Sequence, residues 1–155
     1  MMKKNFKKRP PREEKEFDQK LVDLARVTRV TKGGKQMSFR ATIVIGDRKG
    51  RVGFGIGKSS DVSTAISKAA KEAKKTLLSV PLKNETIPHE VLSKFGAGKV
   101  LIKPATKGRG IKVGGAMRVV FELAGVPNVT GKILGSKNKI NILYATFEAL
   151  KQLRK

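Results

Sequence analysis

Cysteine is absent from the 155-residue chain, which excludes a disulfide framework and a thiolate metal site. Tryptophan is absent too. One Tyr and seven Phe are the whole aromatic complement, too few for a platform that stacks unpaired bases. The one histidine, His89, has no Cys partner and only its sequence neighbour Glu90 as a near acid, so it reads as a structural or surface residue. Glu85, Glu90, Glu122 and Glu148 are scattered rather than paired, and no base stands by for a serine nucleophile. Catalysis has no cast here. No apolar run approaches the roughly 18 residues of a membrane span, and no hydrophobic region follows the charged N-terminus to make a secretory signal.

Acids are the other scarcity. Twelve Asp and Glu face 35 Lys and Arg, a net charge of +23. A compact body so charged repels itself, and a polyanionic partner neutralises it: nucleic acid is the first candidate, an anionic membrane surface the second. Apolar residues are still plentiful enough for a packed core, so the charge is no symptom of disorder. A cytoplasmic polyanion-binding protein is what these absences leave.

Residues 1–15 read as a basic flexible arm, with six positive charges and no acid from Met1 to Arg12. Residues 16–82 read as a first domain. Glu13 to Ala25 is expected to hold a helical turn ahead of an extended segment. From Val27 the residues alternate; Lys32-Gly33-Gly34-Lys35 supplies a turn, and Met37 to Gly46 (MSFRATIVIG) a second strand. Asp47 to Gly50 is another turn, before a third strand at Arg51 to Ile56. Asp61 to Leu78 is predicted helical. Val62, Ala65, Ile66, Ala69, Ala70, Ala73 and Leu77 share one face, Ser60 or Asp61 caps the start, and Pro81 is the stop.

Residues 83–155 read as a second domain. Thr86 to Ser93 and Lys99 to Lys103 are predicted strands around Phe95-Gly96-Ala97-Gly98, and Pro104 to Gly110 is a basic glycine-rich loop. Gly114 to Ala124 is a helix stopped by Gly125 and Pro127, and Val129 to Leu134 a strand. Asn138 to Leu153 is a last helix, with Tyr144, Phe147 and Leu150 at core spacing. The expected fold class is α+β, two small layered domains, each with its own core.

Charge is spread through both domains, +6 for Met1 to Arg12, +7 for Glu13 to Leu82 and +10 from Lys83 onward. Two stretches hold no acid. The first, between Asp23 and Asp47, carries Arg26, Arg29, Lys32, Lys35 and Arg40. The second, between Glu90 and Glu122, carries Lys94, Lys99, Lys103, Lys107, Arg109, Lys112 and Arg118. Glycine-interrupted cationic stretches let backbone N–H groups and side chains reach a phosphate backbone together. They suggest a two-site clamp on structured RNA, read by shape and backbone. Lys68 and Lys71, off the apolar face of the first helix, extend the candidate surface. So do Arg51, Phe54 and Lys58 around the glycine-rich strand, with Phe54 the aromatic most readily placed at a surface.

The stretch Gly50 to Ser59 (GRVGFGIGKS) tempts as a nucleotide loop and fails on spacing. A Walker loop ending at Gly57-Lys58-Ser59 needs Gly where Val52 stands; dinucleotide patterns begun at Gly53 or Gly55 need Gly where Lys58 or Ser60 stands. What survives is a glycine strand feeding a helix N-terminus, suited either to one phosphate or to close helix packing. No cofactor and no metal are expected.

The run from Gly34 to Ala69 (GKQMSFRATIVIGDRKGRVGFGIGKSSDVSTAISKA) resembles the signature of the universal fifth small-subunit ribosomal protein, bacterial type. Gly114-Gly115-Ala116-Met117-Arg118, then Glu122 to Val126, and later Gly135-Ser136, Ile140-Asn141 and Ala145-Thr146 resemble further stretches of that family. The resemblance implies a double-stranded-RNA-binding-like first domain, a β-α-β-α second domain with a left-handed crossover, and no enzyme activity. It implies rRNA binding at the back of the small-subunit body, a brace between head and body, and a place near where messenger RNA enters. The fourth and eighth small-subunit proteins would be neighbours. The loop Thr28 to Lys35, with Gly33 and Gly34, corresponds to the hairpin that reaches the neck and the spectinomycin site, and Gly110 to Arg118 to a surface where changes alter decoding accuracy. Two departures stand out: Lys107 to Lys112 is more basic than the family pattern, and Lys139 replaces a frequent Pro, implying a softer helix start. Competing readings are a free RNA-binding factor, a DNA-architectural protein and a small-molecule kinase.

Overall fold

The structure, a computed structural model, describes residues 16–154. The expected arm at residues 1–15 lies outside them. Strands β1 (Asp18–Thr31), β2 (Gly34–Gly46) and β3 (Arg51–Ser59) form an antiparallel meander, and α1 (Val62–Lys75) crosses it. Thr31 pairs with Gly34 across the two-residue turn Lys32-Gly33, where the Thr31 hydroxyl donates to the Gly34 carbonyl at 3.0 Å. The helical turn expected at the start of Glu13 to Ala25 falls largely outside the described residues, and the extended segment expected after it is the first half of β1, where Asp18 already pairs with Gly46. The register shifts between Leu21 and Asp23, an irregularity at Val22 that breaks the two-residue period of the strand.

Helix α1 is capped as expected by Asp61, whose carboxylate accepts from the Thr64 amide, and Lys74 and Lys75 sit at its negative end. It stops at Lys75, three residues earlier than the spacing predicts. The Thr76 hydroxyl donates to the Phe54 carbonyl at 2.6 Å, and β4 (Leu78–Ser79) then pairs with Arg51 and Val52, giving the exposed edge of β3 a partner.

The second sheet runs β5-β6-β8-β7, from β5 (Val91–Phe95), β6 (Gly98–Pro104), β7 (Ile111–Lys112) and β8 (Val129–Gly135). Helix α2 (Gly115–Ala124) links the parallel β7 and β8, and α3 (Lys139–Gln152) follows. The strand predicted from Thr86 begins only at Val91; Pro88 cannot donate to a ladder, and Thr86 makes isolated bridges instead. The two-residue β7 is too short to leave a period in the sequence. Helix α3 starts firmly despite Lys139, since the Asn138 side chain accepts from the Ile140 amide at 3.1 Å.

The expectation of two separate cores is corrected. Ala41, Ile43 and Ile45 face the alanines of α1 in a small cluster, whereas Val44, Val52 and Phe54 on the opposite face join one large core with α2, α3 and the second sheet. The run Thr42-Ile43-Val44-Ile45 is buried on both faces of β2, so its sheet lies between two layers. Backbone bonds weld the halves as well. The amides of Arg48 and Gly50, in the β2–β3 turn, donate to Leu123 and Ala124, each at 2.9 Å, satisfying carbonyls that the end of α2 leaves free. Lys20 with Glu122 (2.5 Å) and Lys139 with Asp23 (2.8 Å) are ion pairs across the same seam.

Candidate nucleic-acid interface

The β1–β2 hairpin carries the first acid-free stretch, and Arg26, Thr28, Arg29, Lys32, Gly33, Gly34 and Lys35 are all exposed on it. Strand alternation divides the side chains. Arg26, Thr28 and Lys35 lie on the α1 side of the sheet, while Arg29 shares the other side with Arg40, which pairs across the strands with Lys58. Like charges directly opposite destabilise a sheet, and none of these cations has an acidic partner among the described residues. Val30 and Met37, 72% and 53% exposed, add uncovered apolar surface at the same tip. Lys68 and Lys71 extend the positive surface along the solvent face of α1.

Two members of the candidate set change meaning. Phe54 is 8% exposed, with its ring 4.8 Å from Tyr144 and 4.5 Å from Phe147 between centroids, so it is a core residue and no surface contact. Strand parity explains this: Val52 and Phe54 point into the large core, and Gly53, Gly55 and Gly57 point at α1. Arg51 is exposed but engaged, its Nε 2.7 Å from the Asp47 carboxylate and its guanidinium 5.2 Å above the Phe17 ring. Asp47 also accepts from the amides of Lys49 and Arg51, at 2.7 and 3.1 Å. Burial pushes its pKa up, but Arg51 and the two amides outweigh that and hold it below the usual carboxylate range.

The glycine strand is resolved in favour of packing. A Cβ on Gly55 would lie 2.5 Å from the Ala73 amide nitrogen, and one on Gly57 2.5 Å from that of Ala69, while Gly53 meets the Ala73 carbonyl. Backbone rests on backbone there, which leaves no room for a phosphate between strand and helix.

In the second half, Lys99, Lys107, Arg109 and Lys112 are exposed. The basic loop of Lys107 and Arg109 is held at its base by two residues the sequence reading passed over, Asn128 and Thr86. The Gly110 amide donates to Asn128 Oδ1 at 3.0 Å, the Thr86 hydroxyl to the Asn128 carbonyl at 2.8 Å, and the Ala105 amide to Thr86 at 3.1 Å. Asn128 is 4% exposed. Asn after Pro127 in a turn was its only signal. Lys107 pairs loosely with Glu85 at 3.3 Å. Arg118 projects from α2 and meets Glu122 at 3.1 Å; Glu122, bonded first by Lys20 and then by Arg118, has its pKa lowered against the opposing effect of burial.

Among the described residues, no three metal-binding side chains cluster, and no helix is long and apolar enough to cross a membrane. Residues 17–81 match the family model of the ribosomal protein S5 N-terminal domain, and residues 93–155 that of the ribosomal protein S5 C-terminal domain. The chain belongs to the ribosomal protein S5 family. Ribosomal protein S5 is a non-enzymatic, structural part of the small subunit that binds rRNA and sits among other ribosomal proteins. The cationic hairpin and loop are in keeping with that role, and with both family models matched the kinase, DNA-architectural and free-factor readings fall away.

Proposed function

We propose that this ribosomal protein S5 uses two basic sites on one stiff body to brace the small subunit. Arg26, Thr28, Arg29, Lys32, Gly33, Gly34 and Lys35 on the hairpin, with Lys58, Lys68 and Lys71 behind it, take rRNA toward the neck. Lys99, Lys107, Arg109 and Lys112 take it at the back of the body. The observation that carries this is the welded seam between the halves, with cations on either side of it. A clamp held together by backbone hydrogen bonds and a shared core passes load between head and body without yielding.

Gly110 and Arg118 face neighbouring proteins on this reading, the fourth small-subunit protein above all, with the eighth nearby and messenger RNA entering alongside. Accuracy control is then a population shift: contacts at Arg118 favour one subunit conformation and their loss favours the other. The particle works in the cytoplasm. Arg118→Ala tests the accuracy arm. Glu122 keeps Lys20, so the fold persists and assembly is unaffected while misreading in a reporter assay changes several-fold. Unchanged misreading in fully assembled subunits refutes that role.

A further inference from the structure

The second sheet has one face packed on α2 and α3 through Val91, Val100, Ile102 and Val129, and one face with no layer over it. Strand register arranges the open face in three rows. Lys94 pairs with Lys99, which pairs with Leu134; Leu92 pairs with Leu101, which pairs with Lys132; Lys103 and Lys112 flank Thr130. With neighbouring strands about 4.8 Å apart and rows about 6.7 Å apart, five ammonium groups share a patch roughly 14 Å across. Among the described residues one acid reaches it: Glu90, at its margin, 3.1 Å from Lys103. Two of the lysines are direct cross-strand neighbours, an arrangement that costs stability unless something anionic lies over it.

We infer that the second RNA site extends across this whole open face, with Lys94, Lys103 and Lys132 joining Lys99 and Lys112 on phosphates and the leucines under riboses. The inference rests on the rRNA contact proposed for Lys99 and Lys112 and adds Lys94, Lys103 and Lys132 to it. A protein partner fits less well. Protein interfaces are depleted of lysine and of charge at their centres, and here Lys99 and Lys132 stand in the two central strands. Nucleic-acid interfaces are strongly positive and tolerate scattered apolar contacts. The three leucines, 59% exposed at Leu92 and 40% at Leu134, form no patch free of cations.

The test is the salt dependence of binding between the full chain and small-subunit rRNA. A Lys94→Gln/Lys132→Gln variant, which leaves Lys99 in place, should keep or slightly raise its melting temperature, bind several-fold more weakly near 0.15 M salt, and lose about 1.4–1.8 from the slope of log affinity against log salt, at ~0.7–0.9 per phosphate. An Arg29→Gln/Lys35→Gln hairpin variant serves as reference. If the hairpin variant loses slope and the sheet variant does not, the face is not on RNA and this inference is overturned while rRNA binding stands. An unchanged slope, together with crosslinks from position 132 to an acidic segment of a neighbouring protein in assembled subunits, overturns it in favour of a protein partner. If even the wild-type chain shows no salt-dependent binding, the rRNA-binding reading itself fails.

Discussion

Replacing Gly55 with alanine puts a methyl group where α1 already rests. The new Cβ would sit 2.5 Å from the Ala73 nitrogen and nearer still to the Ala69 carbonyl oxygen, against ordinary contact at 3.4 Å or more. Strand or helix must therefore move by at least about 0.9 Å, and both obstacles are backbone that cannot swing aside. Moving α1 opens the Ala65-Ala69-Ala73 seam along its length, since all three alanines are fully buried on the same strands. Overpacking costs about 1–3 kcal/mol when side chains can adjust, and this site belongs at the upper end. At roughly 2–4 °C per kcal/mol for a chain of this size, the melting temperature should fall by about 6–12 °C. Thermal unfolding followed by circular dichroism measures it, with rRNA binding measured well below the transition. Were the glycines there to hold a phosphate, the result would be the reverse: a melting temperature like that of the parent and weakened RNA binding. That outcome would refute the packing argument.

Three further outcomes follow from the same geometry. Phe54→Ala should cost about 3–4 kcal/mol in a denaturant titration, because it empties the centre of the shared core, and should leave rRNA affinity of the folded protein unchanged; lost affinity in the folded variant would return Phe54 to the surface. Gly125→Ala should cost about 2–4 kcal/mol, since Gly125 has φ +76 and a Cβ there would lie 2.6 Å from the Arg48 carbonyl carbon, prising apart the joint between the halves. Gly33→Ala, with nothing within 4 Å, should stay within about 0.5 kcal/mol, and equal losses for the two would discount the joint. Asp47 and Glu122 have folded pKa values below their unfolded ones of 3.8 and 4.5, so their stabilisation is complete above about pH 5 and is lost as pH falls through the lower folded values. Asp47→Asn should therefore lose melting temperature less steeply than the parent below about pH 4; parallel curves would contradict the role given to Arg51 and the turn amides.

What the sequence disclosed depended on how local the cause was. The β1–β2 hairpin was legible because Gly33 and Gly34 interrupt a β-branched run, and α3 because Leu143, Phe147 and Leu150 repeat within one helix. Charge was legible too, because exposed lysine needs no third dimension to be recognised. Strand β7 was hidden by its length. The shared core was hidden for a deeper reason: an apolar run in a strand reads the same whether one layer or two cover it, and only α2 and α3, much later in the chain, decide the matter. Phe54 went astray with it, since the glycines around it suggested a strand open to the surface. Thr86 and Asn128 are 42 residues apart, and no local pattern announces their bond.

The central claim, that this chain is an integral, RNA-bound brace of the small subunit, meets its most direct test in gradient sedimentation of a lysate followed by a wash of purified small subunits in roughly 0.5–1 M salt, where purely electrostatic contacts weaken steeply. The welded, many-sided body described here predicts near one copy per small subunit retained through the wash. Release by the salt, or sedimentation away from subunits, would contradict it.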